Sequence, residues 1–169
     1  MAAGLIAEFQ SSLSNHDVIV ERTPPDSFQE ILESHLSHPA VGTRIPFDSI
    51  SLDTTSVSKN PTPRQLQEAS TGVTGAELAI AELGSIVLQS DREGTEAVSL
   101  YSDRHIAVVS ETDIVPDVDT AFSRLNAEFN AGIDDAVVAT GPSATADMGS
   151  LVRGAHGPRE VVVIILEES

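Results

Sequence analysis

Two short aliphatic runs near the end of the chain constrain its fold more than any other feature. Asp135–Ala139 and Val161–Leu166 are rich in valine and isoleucine, a composition typical of buried strands. The intervening residues 140–158 leave room for a loop, a short helix and a second loop. A connection of this length permits parallel strands with a helix packed on the sheet. The segment therefore predicts a β-loop-α-loop-β unit.

Predicted helices and strands alternate along the rest of the chain. Helical spacing of apolar residues marks segments 3–14, 27–36, 63–69 and 117–131, and apolar or alternating runs mark strands at 17–22, 78–81, 85–89 and 105–109. We expect one domain over residues 1–169. The alternation predicts an α/β protein built as a three-layer α/β/α sandwich.

Local signals refine the helix boundaries. The capping-box patterns at Ser27–Glu30 and Thr62–Gln65 predict two helix starts, the second with proline at the first helical position. In the helix that Asp117 begins, the apolar spacing predicts that Phe122 and Phe129 face inward together with the aliphatic residues.

Other segments are less regular. Residues 76–83 contain good helix formers, but the surrounding glycines favour two strands joined by a tight turn at Glu82–Gly84; both interpretations stay open. Short strands are expected near Ile45 and Ile50. Residues 97–101 are expected to form a short strand or a loop.

The charge balance is strongly acidic. The chain has 26 Asp and Glu against 9 Lys and Arg, a formal net charge of -17, and Lys59 is its single lysine. Such self-repulsion requires screening, so the composition predicts adaptation to molar salt; an ordinary acidic cytosolic protein is the alternative. The same charge argues against nucleic acid and anionic membranes as partners.

The chain contains no cysteine, which excludes disulfides, thiolate zinc sites and cysteine-ligated iron–sulfur clusters within it. His35 and His38 are spaced so that they could share a metal, but histidines at a helix end commonly complement the helix dipole, and we predict no metal site. Neither a signal peptide nor a spanning apolar run is apparent, so we expect a soluble, cytoplasmic protein.

The loop after the first aliphatic run is the candidate ligand site. Thr140, Ser143 and Thr145 supply hydroxyls, Gly141 supplies flexibility, and Asp147 opens the predicted helix. Backbone amides at a helix N-terminus bind anions, which predicts a phosphate or carboxylate site beyond the carboxyl end of the strand. Equally, the loop could be a tight connection in which a hydroxyl caps the helix. Neither a P-loop nor a dinucleotide fingerprint is present.

Two further groups are candidates for chemistry. His156, beside Gly157 in a glycine-flanked turn, could act as a general base or contact an anion, or simply hydrogen-bond the loop backbone. The predicted helix would separate His156 from Gly141, because the two residues lie beyond opposite ends of that helix. Glu82 and Glu77 lie near the glycine-bounded turn and could serve as base, nucleophile or metal ligand, with a solvated glutamate as the alternative.

Several of these segments, taken in order, resemble the lactate-utilisation (LUD) domain family, and most closely its protein C type. The segments are GVTGAELAIAELGSIVL (72–88), SLYSDRHIAVV (99–109), ETDIVP (111–116), TGPSATAD (140–147) and GAHGPRE (154–160). The resemblance covers a family-like core of residues 70–166, while the helical and strand segment 1–69 is only loosely comparable. Several motifs that occur in the same order as in the family are a more specific sign of membership than any single motif.

The resemblance implies a NagB/RpiA/CoA-transferase-like (Rossmann-like) sandwich. It also implies an accessory, cluster-free component of L-lactate oxidation to pyruvate, working beside iron–sulfur partner proteins and holding no cofactor itself. In this interpretation Thr140–Asp147, Gly157, His156 and Glu82 form the site. Two alternatives stay open: a stand-alone binding protein or enzyme for a small phosphate or carboxylate metabolite, and a diverged scaffolding paralogue.

The sequence departs from the family pattern inside the candidate loop. Ala144 stands where the family usually has Arg or Lys, Gly149 where it has an acidic or amide residue, and Leu83 where it has Thr. Loss of the basic residue removes the obvious charge partner for an anionic ligand. That role would pass to Arg153 or Arg159.

Overall fold

Within the residues that the structure describes, 2–147 and 149–168, six parallel strands form the main sheet of this computed structural model. The strands of the chain are β1 (Ile19–Thr23), β2 (Ala40–Gly42), β3 (Ser58–Lys59), β4 (Thr71–Gly75), β5 (Leu78–Ile80), β6 (Ser85–Gln89), β7 (Arg104–Ser110), β8 (Ile114–Val115), β9 (Ala136–Thr140), β10 (Ala144–Thr145), β11 (Val152–Arg153) and β12 (Glu160–Leu166). The α-helices are α1 (Ala2–Ser14), α2 (Phe28–His35), α3 (Pro63–Glu68), α4 (Thr95–Tyr101) and α5 (Val118–Asn130).

The main sheet has the strand order β1-β12-β7-β4-β2-β3. β12 lies inside it because its aliphatic residues are buried on both faces, as expected for a central parallel strand. Val161, Val163 and Ile165 pack on the side of α1, whereas Val162 and Ile164 pack on the side of α2.

A second, smaller sheet lies over the α1 side of the main sheet. Its strand order is β8-β5-β6-β9, with β6 antiparallel to both of its neighbours. α5 covers its outer face, where Ala121 and Leu125 pack against Leu78 and Val87. The chain is therefore a layered α/β sandwich with a mostly parallel central sheet, which confirms the predicted fold class.

Several local predictions are confirmed. Residues 78–89 form the predicted hairpin, with β5 and β6 antiparallel, so the helical alternative was wrong. Thr62 and Gln65 make both hydrogen bonds of a capping box at the start of α3.

The capping box predicted at Ser27 is wrong, because a 3₁₀ turn at Pro25–Ser27 precedes α2 and the Ser27 side chain makes no cap bond.

The segment predicted as a strand or loop at 97–101 belongs to α4. Asp91, in the turn before α4, stabilises the first residue of the helix by accepting hydrogen bonds from the Thr95 amide at 3.0 Å and the Thr95 hydroxyl at 2.6 Å. α4 then packs on β4 at Gly72, where an added Cβ would lie 2.2 Å from the Val98 oxygen. Tertiary packing therefore stabilises a helix here that the local sequence did not predict.

The strands expected near Ile45 and Ile50 were also wrong, since those residues lie in a loop between β2 and β3.

Phe122 and Phe129 do not face inward as predicted. Their exposed fractions are 59% and 40%, whereas Ala121 and Leu125 are buried. Only the helical stripe that contains Ala121 and Leu125 packs on the small sheet, and the two phenylalanines lie outside this stripe. Among the described residues, the structure has no helix long and apolar enough to cross a membrane.

The β-loop-α-loop-β prediction for residues 135–166 is wrong in two respects. β9 does not lie parallel to β12; it pairs antiparallel with β6 in the small sheet. In place of the helix, β10 and β11 form a short antiparallel hairpin. Met148, inside the predicted helix, lies outside the described residues.

Candidate functional site

A cavity of about 370 Å³ lies between the main sheet and the small sheet; we call it the β9 cavity. Its lining combines residues of α1, α4, β6, β7, β9, β12 and the loops beside β9 and β12. The apolar part of the lining includes Leu13, Val18, Ile86, Leu88, Val137, Val161 and Val163. The volume lies within the range of small-molecule sites, roughly 300–1,000 Å³.

The β9 cavity lies at the amino-terminal ends of the parallel strands. His105 and Val161, the second residues of β7 and β12, line it, as does Pro158 just before β12. The sequence had placed the site beyond the carboxyl ends, where open α/β sheets usually bind ligands. The candidate loop does follow the carboxyl end of β9, but β9 belongs to the small sheet, so this end does not lie among the carboxyl ends of the parallel strands as expected.

The hairpin brings the two candidate loops together. The Ser143 amide donates to the Pro158 oxygen at 2.8 Å, and the Gly154 amide donates to the Ser143 oxygen at 2.9 Å. A Cβ added at Gly157 would lie 3.0 Å from the Ser143 Cβ, so glycine allows the close approach. His156 therefore lines the same cavity as the first loop, and the hairpin brings the two loops together where the predicted helix would have separated them.

Five of the predicted site residues line the β9 cavity: Thr140, Gly141, Ser143, His156 and Gly157. The Thr140 hydroxyl is already bonded to the Ser85 hydroxyl at 2.6 Å across β6 and β9. Gly141 adopts a positive φ of 67°, and an added Cβ would lie 2.9 Å from the Cβ of His16. Ser143 is half-buried and His156 is exposed, so these two side chains mark the mouth of the cavity.

Thr145 and Asp147 do not line the β9 cavity. Thr145 belongs to β10, where its hydroxyl accepts a hydrogen bond from the Asp147 amide at 3.2 Å. Asp147 is exposed and begins no helix, so the predicted anion site at a helix N-terminus is not formed there.

Glu82 also lies outside the cavity. Its Oε1 accepts a hydrogen bond from the Val118 amide at 3.0 Å, at the first residue of α5. A carboxylate at this position satisfies an amide that has no partner within the helix and complements the helix dipole. The geometry gives Glu82 a structural role at the start of α5, and Glu82 does not line the β9 cavity.

His105 is the lining residue that sequence reasoning missed as a site candidate. It is 2% exposed, and burial lowers its pKa to about 4. Its Nε2 lies 2.8 Å from Thr74 Oγ1 on the adjacent strand β4. The signal available in the sequence was a polar, titratable residue at the start of an otherwise aliphatic strand.

Neither of the two arginines expected to replace the missing basic residue at position 144 lines the β9 cavity. Arg153 lies 2.5 Å from Asp17 Oδ2, and the Arg159 Nε lies 3.9 Å from Asp103 Oδ1. Among the described residues, the titratable side chains of the cavity lining are those of His105 and His156. Polar recognition in the β9 cavity therefore relies on hydroxyl, imidazole and backbone groups.

A second cavity, of about 360 Å³, lies at the carboxyl end of β4 and is lined by Arg44, Glu77 and Asp91 among others. Burial and the nearby carboxylates of Glu128 and Asp113 raise the pKa of the Glu77 carboxyl.

Within the described part of the chain, no three His, Cys, Asp or Glu side chains are grouped to hold a metal.

Comparison with known proteins places these features in a family. The family model described as the LUD domain matches residues 9–166. Lactate utilization protein C of Bacillus licheniformis is 34% identical over 109 residues, 62% of this chain and 45% of that protein. Lactate utilization protein C of Deinococcus radiodurans is 36% identical over 104 residues, 60% of this chain and 49% of that protein. The chain thus spans about half the length of the curated relatives it matches.

The fold is shared with a solved protein. The crystal structure of a DUF162 family protein from Deinococcus radiodurans matches with a TM-score of 0.78 over 98% of both chains, at 23% sequence identity. The family model covers nearly the whole chain and includes every element from β1 to β12. The chain therefore belongs to the LUD domain family.

Proposed function

We propose that this chain, a single LUD domain over residues 1–169, is a cluster-free accessory component of L-lactate oxidation to pyruvate that acts beside iron–sulfur partner proteins. The family assignment and the relatives named lactate utilization protein C support a role in lactate utilisation. The observation that carries the proposal is the β9 cavity, in which the two family-like loops meet around a space of small-molecule size.

The residues of the mouth suit a small carboxylate. The half-buried Ser143 can donate its hydroxyl, and the exposed His156 can donate from its imidazole ring. The apolar side chains behind them can pack against the rest of the ligand. In this proposal the chain binds and orients the acid, and the electrons pass to a partner, because a chain without cysteine has no thiolates to ligate a cluster.

Two observations favour functions other than an accessory role in lactate oxidation. A cavity of this size and shape also fits a stand-alone protein that binds a small phosphate or carboxylate metabolite. Ala144 is exposed and no arginine or lysine of the described residues lines the β9 cavity, so the mouth lacks a permanent positive charge, which favours a diverged scaffolding paralogue.

Purification of the tagged chain from its native host in high salt tests the proposal. Mass spectrometry of the eluate and its absorbance spectrum identify bound partners and chromophores. We expect a stoichiometric iron–sulfur protein, a brown eluate and slow growth on L-lactate when the gene is deleted. A colourless, solitary protein whose deletion leaves growth on lactate unchanged would contradict the accessory role. Ser143→Ala and His156→Ala variants that alter stability alone would favour scaffolding.

A further inference from the structure

A buried histidine nitrogen faces the β9 cavity. His105 lines the cavity, and its Nε2 is bonded to Thr74 Oγ1. Its Nδ1 has no hydrogen-bond partner among the described residues. Yet the described chain contains no fully inaccessible side-chain nitrogen or oxygen that lacks a partner. Nδ1 is therefore not fully inaccessible, and the cavity that His105 lines is the space from which a ligand can reach it. A polar atom in the interior is costly unless something bonds to it.

The surroundings of Nδ1 select the chemistry of the group that meets it. The neighbouring lining is aliphatic, so a charged group next to His105 would be poorly solvated. Burial keeps the pKa of His105 near 4, which makes the ring neutral at physiological pH. A neutral ring presents either a donor or an acceptor at Nδ1, depending on the Thr74 hydrogen bond, and a hydroxyl can satisfy either.

The β9 cavity is also larger than a three-carbon acid requires. Its mouth carries the polar side chains of Ser143 and His156, and its inner wall carries His105. The hydroxyls of Ser99 and Thr140 also line the cavity, but they are already bonded to the Glu96 oxygen and to the Ser85 hydroxyl. Between the mouth and His105, aliphatic side chains form most of the wall. A ligand that fills this space has a carboxylate for the mouth, a neutral oxygen for His105 and an apolar substituent for the wall.

We propose that the β9 cavity binds 2-hydroxy acids with the hydroxyl hydrogen-bonded to Nδ1 of His105, and that it prefers acids whose aliphatic substituent is longer than the methyl group of lactate. This deepens the proposed function and rests on it for the site and the acid class. It adds a recognition residue and a preference for longer substituents. Each added methylene buried on the wall should tighten binding about fourfold, equivalent to about 0.8 kcal/mol.

Calorimetric titration of the full chain in molar KCl tests this inference. The ligands are L-lactate, L-2-hydroxybutanoate, L-2-hydroxypentanoate and L-2-hydroxy-4-methylpentanoate, each paired with the same acid lacking the hydroxyl. We expect the dissociation constant to fall with substituent length. We also expect each hydroxy acid to bind several-fold more tightly than its partner, the gain typical of one hydrogen bond.

Matched variants separate recognition from folding. The double variant His105→Leu with Thr74→Val removes both ends of the buried hydrogen bond, so neither group is left unpaired. It should lose the preference for the hydroxyl and keep the preference for length. Thr74→Val alone should weaken the hydroxyl preference because the ring loses its anchor. Ala139→Leu, which fills the cavity from β9, should weaken the longest acids most and leave the fold intact.

The outcomes distinguish this inference from the function on which it rests. Equal affinity for hydroxy acids and their partners would overturn the role of His105, and affinity independent of length would overturn the ligand class. Absence of binding by every acid would overturn the inference, while co-purified iron–sulfur partners would still support the accessory role. Conversely, the expected affinities together with normal growth on lactate after deletion would overturn only the accessory role.

Discussion

His105 Nε2 lies 2.8 Å from Thr74 Oγ1 and joins the neighbouring strands β7 and β4 beneath the β9 cavity. Both residues are buried, and burial lowers the pKa of His105 to about 4. The contact between His105 and Thr74 therefore connects two strands of the main sheet and also holds the imidazole ring that lines the β9 cavity.

The first prediction concerns stability at acidic pH. The pKa of His105 is about 4 in the folded protein and about 6.5 in the unfolded chain, so between these values the unfolded state binds more protons. The free energy of unfolding should therefore fall as the pH decreases from about 6.5 towards 4. We expect this residue to account for a loss of about 2 kcal/mol between pH 7.5 and pH 5. Urea unfolding at the two pH values measures the loss.

The matched control for this prediction is His105→Gln, which keeps a polar side chain but cannot titrate. Its unfolding free energy should change less over the same range, since the remaining titratable groups are common to both proteins. Identical pH dependence in the two proteins would show that His105 is not held neutral in the fold.

Glu82 should matter for α5 and not for ligand binding. Glu82→Ala removes the acceptor of the Val118 amide, so we expect a loss of about 1 kcal/mol in urea unfolding. Glu82→Gln retains an acceptor oxygen and should lose less. Affinity for any acid that binds the β9 cavity should stay unchanged in both variants, whereas a large affinity loss would restore Glu82 to the site.

Gly72 should be intolerant of any side chain. A Cβ there would lie 2.2 Å from the Val98 oxygen and 2.5 Å from the Ser102 hydroxyl, so Gly72→Ala must displace α4. We expect destabilisation of more than about 2 kcal/mol by urea unfolding. Gly4→Ala in α1 is the control, because nothing lies within 4 Å of its added Cβ, and a gain of up to about 1 kcal/mol is expected. Equal effects would show that α4 does not pack on β4 this closely.

Salt should stabilise the protein strongly. The net charge of -17 makes the folded state repel itself, and the Debye length falls from about 10 Å at 0.1 M to about 3 Å at 1 M salt. The melting temperature should therefore rise steeply between 0.1 M and molar KCl. A variant with Glu8→Gln and Asp134→Asn, two exposed acids, should need less salt to reach the same melting temperature. A flat melting temperature would contradict adaptation to molar salt.

Much of the fold could be predicted because its signals are local. The aliphatic residues of β7 and β12, the hairpin of β5 and β6 and the capping box at Thr62 depend on neighbours in the chain, and all are confirmed. The predicted loops with Ser143 and His156 do line one cavity. Their relative position could not be derived, because it depends on which sheet β9 joins.

The sequence by itself determined the α/β class, the aliphatic interior, the acidic surface and the two loops that carry polar groups. Tertiary structure alone decided that β9 pairs with β6, that a hairpin replaces the predicted helix, and that His105 faces a cavity. Strand pairing and cavity formation depend on contacts between residues far apart in the chain. Periodicity and propensity describe neighbours only, so they carry no information about which distant segments will meet.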